Sequence, residues 1–369
     1  MKERKSLSTI FKIIAILAIF LLGASGGYFY SQKQKPPSQI DLYSAFLDEV
    51  YQTIQQNYWE KIDDQQLTTL FQLAAEKLTS QPQPLKSKDK PNLEKLLTKI
   101  LNQLESEEKK KEFTSQLTDI VLANLKPFGR NQLYTQKQEI DLKNRVENIN
   151  PETGEKEPTI DSRLIRPEIF YLHLKKFSPT TFDEFKKAVE EVDHQPGLNT
   201  VILDLRDNVG GAIDIMPYFL GPFIGQDQYA YEFFHQGEKT AFKTKVGWLP
   251  SLVRYKKVVI LINENVQSSA ELFAAVLKKY NVGVLIGTPT RGWGTVEKVF
   301  PLENQLNSNQ TFSIFLVHSL VLREDGQPIE GNGVEPMINL NDPDWQNQLL
   351  AYFNYQELVE VVKEIIEAD

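Results

Sequence analysis

Residues 256–300, KKVVILINENVQSSAELFAAVLKKYNVGVLIGTPTRGWGTVEKVF, constrain the fold most strongly. Residues 258–262 form an unbroken apolar run, the pattern of a strand covered on both faces. A polar turn follows. Residues 270–280 then place Leu272, Phe273, Val276 and Leu277 at helical spacing. A second apolar run, 282–286, predicts another buried strand. Ser268 therefore stands at the tip of a strand-turn-helix, with its hydroxyl facing the space beyond the strand ends. Unpaired backbone N–H groups at the helix start face the same space. One reading is a nucleophile beside oxyanion donors. The other is a helix cap, because Ser268 and Glu271 form Ser-x-x-Glu, a capping box.

From residue 166 onward the pattern alternates. Strands are predicted at 169–174 and 201–205, a helix at 182–192 and another at 212–219, and a hairpin arm at 229–234. Further strands follow at 295–300 and 312–322, and a final helix at 345–367. Such alternation predicts an α/β domain around a mainly parallel central sheet with flanking helices. Apolar stripes at Tyr43, Phe46, Leu47, Val50, Tyr51 and Ile54, and at Leu67, Leu70, Phe71, Ala74 and Leu78, predict helices over 41–80. Residues 92–125 read as helical again. Residues 127–162 are poor in apolar side chains and carry turn signals, so they read as a long connection, extended or poorly ordered.

At the start of the chain, a basic stub (Lys2, Arg4, Lys5, Lys12) precedes residues 13–30, which carry no charge. At about 1.5 Å per residue a helix there spans ~27 Å, close to a bilayer core. An uncleaved single-pass anchor is expected, with the bulk of the chain on the extracytoplasmic side of the cell membrane. A cleaved signal peptide is the other reading, since Ala24, Ser25, Gly26 and Gly27 end the run.

The net charge of −8 argues against nucleic acid as a partner. With no cysteine, thiolate catalysis and cysteine-ligated metals are excluded. The four histidines, His173, His194, His235 and His318, lack ligand spacing, so no metal and no cofactor are expected. A glycine loop, Asp204-Leu205-Arg206-Asp207-Asn208-Val209-Gly210-Gly211, follows the strand at 201–205. Its paired glycines read either as a tight turn or as an oxyanion donor.

Four segments together resemble the carboxy-terminal processing peptidases, or tail-specific proteases. VILDLRDNVGG (201–211) is similar to that family's LDLRxNPGG, and NENVQSSAELF (263–273) to its nucleophile segment NxxSASASEI. LIGTPTRGWGTVEKVFPL (285–302) resembles VGERTFGKGSVQxVxPL, and DGQPIEGNGVEP (325–336) resembles SGRSIQGKGIEPD. A weaker match, NYWEKIDDQQL for NYVDPVDDEKL, lies in the N-terminal helical region. The resemblance covers about half the chain.

It implies a ClpP/crotonase-like domain that cuts unfolded or C-terminal polypeptide segments with a serine–lysine pair. Ser268 falls on the nucleophile, and the backbone N–H groups of Gly210 and Ser269 fall on the oxyanion hole. Trp293 falls on the lysine and Glu297 on its supporting glutamine. A serine hydroxyl needs a base to take its proton, and an indole cannot do so. Glu297 is the candidate substitute base; Lys298 and His318 are others. Two functions therefore stand: a membrane-anchored, exported serine peptidase with a rearranged base, or a degenerate polypeptide-binding or scaffold protein. The resemblance also implies a PDZ module that residues 127–162 are too polar to form. The expected organisation is a stub and anchor (1–30), a linker (31–40), a helical domain (41–126), a connector without a recognisable PDZ module (127–164), a peptidase-like domain (165–340) and a C-terminal helix (341–369).

Overall fold

The computed structural model describes residues 39–368 except 308 and 324. The apolar run at 13–30 lies outside the described residues; among those described, no helix is long and apolar enough to cross a membrane. Helices α1 (Gln39–Asn57), α2 (Asp64–Thr79), α3 (Lys90–Gln103) and α4 (Glu107–Ala123) open the chain. Asp63 and Gln66 cap α2 reciprocally. The helix expected over 92–125 is broken at extended Leu104, and Ser106 caps the second piece. Strand β1 (Gln132–Thr135), helix α5 (Gln136–Glu147) and strand β2 (Ile160–Arg166) follow. This corrects the reading of 127–162 as extended or poorly ordered. α5 buries no residue and β2 is largely exposed, so neither leaves an apolar pattern to detect.

Strand β3 (Ile169–Leu174), helix α6 (Thr181–Glu191) and strand β4 (Thr200–Asp204) lead to two one-turn helices, Met216–Phe219 and Gly221–Ile224. Next come β5 (Tyr229–His235), β6 (Glu238–Lys243), β7 (Lys257–Ile262), helix α7 (Ser269–Lys279), β8 (Val284–Gly287), β9 (Thr295–Pro301), β10 (Phe312–Leu322) and β11 (Ile338–Asn339). Two helices close the chain, α8 (Trp345–Phe353) and α9 (Gln356–Glu367). They replace the single helix expected at 345–367, because Asn354 adopts the left-handed conformation (φ 48°).

One sheet has the order β11-β8-β7-β4-β3-β2, parallel throughout except for antiparallel β2 at its edge. Its strands alternate between two cores. Phe170, Leu172, Val201, Leu203, Ile260 and Ile262 face a core with Phe185, Phe219 and Phe273. Ile169, Tyr171, Ile202, Val259 and Leu261 face α9 through Leu358, Val361 and Val362. Each such side chain stabilises the fold by about 1.5–3 kcal/mol on full burial. The second sheet is antiparallel, β1-β10-β5-β6, with β9 also on β10. A second sheet was not expected from the sequence; hairpin pairing is set by partners that a single strand's pattern does not name.

The helical region shares its core with this second sheet. Phe46, Val50, Phe71, Leu97 and Leu117 bury against Phe312, Ile314 and Leu316 of β10. An irregularity between Val317 and Ser319 interrupts the β9–β10 ladder. The backbone at Val317 is satisfied from the N-terminal side: its N–H donates to Asn131 Oδ1 (2.8 Å) and its carbonyl accepts from Trp59 N–H (3.0 Å).

Candidate active site

β4 and β7 are neighbours in the sheet, so the loops leaving their C-terminal ends meet. Asp207 and the 263–265 turn are laced together. Asp207 N–H donates to Asn263 Oδ1 (3.1 Å), and Asp207 Oδ1 accepts from Asn263 Nδ2 (3.0 Å) and Asn265 Nδ2 (2.8 Å). Gln267 N–H donates to the Asn208 carbonyl at 3.0 Å.

Ser268 follows in a strained conformation, φ 55° and ψ −127°. A non-glycine residue held there costs about 1–3 kcal/mol, which the surrounding bonds must offset. Gly210 (φ 85°) presses on it: a Cβ at 210 would lie 2.7 Å from Ser268 Cβ and 2.8 Å from the Gln267 carbonyl oxygen. The structure thus brings the glycine loop onto Ser268.

The expected oxyanion donors are not equally available. Ser269 N–H, at the first helical position, has no acceptor among the described residues. Gly210 N–H donates to Asn208 Oδ1 at 2.8 Å. Asn208 is fully buried and anchored by its own bond to the Leu174 carbonyl (2.7 Å). Of the two expected donors, one is thus open and the other is engaged within its loop.

Glu271 does more than the capping expected of it. Its fully buried carboxylate accepts from Ser268 N–H (3.0 Å), Trp293 N–H (2.7 Å), Gly292 N–H (2.7 Å) and Thr290 Oγ1 (2.6 Å). Burial pushes its pKa up, and these four donors oppose that push. The carboxylate thereby clamps the 290–293 loop to the Ser268 turn. No side-chain pattern signals this, because three of the four donors are backbone groups.

Trp293 sits directly against that turn, its carbonyl accepting Ser268 N–H at 3.1 Å. Its half-buried ring carries the Arg130 guanidinium 4.0 Å from the ring centroid, and Arg291 at 5.6 Å. Arg130 Nη1 donates to Glu330 Oε2 (2.5 Å) and Thr295 Oγ1 (2.7 Å). Thr295 Oγ1 donates onward to Glu297 Oε1 (2.5 Å), and Gly294 N–H donates to Glu330 Oε2 (2.9 Å). Arg130 and Glu330 were not anticipated as site residues. Arg130 lies in the polar connector, where nothing in the sequence marks it.

Glu297, the expected substitute base, bonds to Thr295 rather than to Ser268. Burial raises its pKa, while the Thr295 hydroxyl, the Arg130 charge and the Trp293 indole N–H favour its ionised form. Lys298 is exposed, with its Nζ 3.4 Å from His318 Nε2. His318 stacks on His235 (centroids 4.2 Å apart) and pairs with Ser319 Oγ. Burial first, then the Lys298 charge and His235, bring the His318 pKa down to about 4. Among the described residues no carboxylate, imidazole or amine bonds to Ser268 Oγ. Nor do three or more His, Cys, Asp or Glu side chains among them group as a metal site requires. The arrangement offers a peptide carbonyl an N–H donor and a hydroxyl, and holds no proton acceptor against that hydroxyl.

Residues 168–340 match peptidase family S41. The chain is 27% identical over 210 residues to a probable CtpA-like serine protease of Staphylococcus epidermidis, covering 57% of this chain and 40% of that protein. It is 28% identical over 174 residues to a probable CtpA-like serine protease of Staphylococcus aureus, covering 47% of this chain and 34% of that one. The chain thus spans 40% or less of the length of these relatives. A lipoprotein from Streptococcus agalactiae shares the fold at TM-score 0.52 and 16% identity, covering 86% of this chain and 97% of that one. The photosystem II D1 C-terminal processing protease does so at TM-score 0.52 and 13% identity, covering 84% and 94%.

Proposed function

We propose that this chain, which belongs to peptidase family S41 through residues 168–340, holds unfolded or C-terminal polypeptide segments at the Ser268 site and cuts them very slowly or not at all. One observation carries this reading. Where the family resemblance places a lysine, an indole caged by Arg130 stands, and nothing else described takes a proton from Ser268. Losing the base of such a unit costs on the order of 10⁴ in rate or more. The open Ser269 N–H and the glycine loop still offer an extended backbone a place to bind. In this reading residues 13–30 anchor the chain in the cell membrane, with the site on the extracytoplasmic side, as the charge asymmetry of the first residues supports.

A second reading, an active peptidase with Glu297 as base, is favoured by two features. Ser268 keeps a strained backbone, and burial raises the Glu297 pKa above that of an ordinary carboxylate. A single comparison separates the two. The full chain and its Ser268→Ala variant are each incubated with an unfolded polypeptide, and binding and cleavage are followed together. Binding by both with no difference in cleavage supports the first reading. Cleavage at ordinary enzyme speed that Ser268→Ala abolishes supports the second, and neither binding nor cleavage overturns both.

A further inference from the structure

Arg130 lies outside the family-matched residues, in the segment between α4 and β1, yet it reaches the edge of the Ser268 site. Its neighbour Asn131 is buried and fixes the segment, accepting Val317 N–H and donating Nδ2 to the Leu125 carbonyl at 3.2 Å. From there the Arg130 side chain is 14% exposed and that of its ion-pair partner Glu330 is 17% exposed, so the pair is largely shielded from water. The planar group lies over the Trp293 ring while one of its nitrogens bonds both Glu330 and Thr295. Thr295 passes that bond to Glu297. Glu330 in turn takes the N–H of Gly294, the residue after Trp293. One ion pair therefore fixes the indole, the carboxylate two strand positions beyond Thr295, and the backbone between them.

We propose that Arg130 is a positioning residue: it holds the Trp293 indole and the Glu297 carboxylate in place beside the Ser268 turn. Stacking on the indole needs a planar cation, which arginine supplies and lysine does not, while its Nη1 bonds both Glu330 and Thr295. Because the Trp293 carbonyl accepts Ser268 N–H, a loosened Trp293 also loosens the strained serine. The consequence for polypeptide affinity rests on the function proposed above; the positioning of Trp293 does not.

The test uses the full chain with Arg130→Lys and Arg130→Leu. Acrylamide quenching of Trp293 is taken as the difference between each protein and its Trp293→Phe counterpart. Melting temperature and affinity for reduced, carboxymethylated α-lactalbumin are read alongside. Arg130→Lys keeps a charge beside Glu330, so its melting temperature stays near that of the parent. Its Trp293 nevertheless becomes more quenchable, the undocked fraction rising roughly tenfold, as expected for a lost shielded stack, and polypeptide affinity falls several-fold. Unchanged Trp293 quenching in folded Arg130→Lys overturns the proposal. So does a lowered melting temperature with Trp293 undisturbed, which assigns Arg130 to stability alone. Should Arg130→Leu fail to fold, the lysine variant decides. Should the parent bind no unfolded polypeptide, the proposed function fails while the quenching comparison still decides Arg130.

Discussion

The backbone N–H of Ser268 donates to the carbonyl of Trp293 at 3.1 Å, so Trp293 is bonded to Ser268 through its main chain. Its side chain is turned to Arg130 and Glu297 instead. Any residue at 293 keeps that carbonyl, so the same bond stays available to Ser268 N–H after the side chain is replaced. Trp293→Lys together with Glu297→Gln is expected to raise Ser268-dependent cleavage of an unfolded polypeptide by about 10² or more, part of what a missing base costs. Trp293→Lys alone gains much less, because the buried Glu297 carboxylate would hold the new ammonium protonated. Initial cleavage rates, with Ser268→Ala as baseline, check this; equal gains by the single and double variants would refute it.

Gly210→Ala tests the approach of the glycine loop. The new methyl would meet Ser268 Cβ at 2.7 Å, on a backbone with φ 85°. The strain and the overpacking together are expected to lower stability by about 2–4 kcal/mol, read as a shifted urea midpoint with unchanged slope.

Glu271→Gln keeps the size of the clamp and changes its chemistry. The amide nitrogen would face N–H donors where a carboxylate oxygen now accepts from Ser268 and Trp293. A loss of about 3 kcal/mol is expected from the buried donors left without acceptors. Hydrogen exchange at Gly292 and Trp293 should quicken in the variant.

Two shifted side chains, Glu297 on β9 and His318 on β10, give opposite pH signatures. Glu297 has its pKa raised chiefly by burial, so the folded state holds its proton more tightly than the unfolded one. Stability tied to it is greatest at low pH and falls as pH rises through the folded value, and Glu297→Gln should be the more stable protein at neutral pH. His318 has its pKa lowered to about 4, again chiefly by burial. Its contribution is intact above the ordinary histidine range and is lost as pH falls from there toward about 4, so His318→Gln should lessen acid destabilisation in that window. Denaturant titrations at a series of pH values, parent against each variant, read both signs.

The parallel sheet was legible because Val201–Leu203 and Val259–Ile262 are apolar on successive positions, which only a strand buried on both faces requires. Ser268 was legible through its place between such a strand and an apolar helix. The antiparallel sheet was less so. β9 and β10 each show strand character, but their pairing with β1 and β5 is set by contacts far apart in sequence. The cage around Trp293 was not legible at all. Arg130 acts from a polar segment, and the donors to Glu271 are mostly main-chain N–H groups, which every residue type shares.

The most direct measurement is the reactivity of Ser268 itself. The full chain is treated with excess fluorophosphonate, and mass spectrometry follows phosphonylation of Ser268 against the Ser268→Ala control. With no proton acceptor at its hydroxyl, Ser268 should stay unmodified over hours in the parent and become labelled in the Trp293→Lys, Glu297→Gln double variant. Rapid, stoichiometric labelling of Ser268 in the parent would contradict the account.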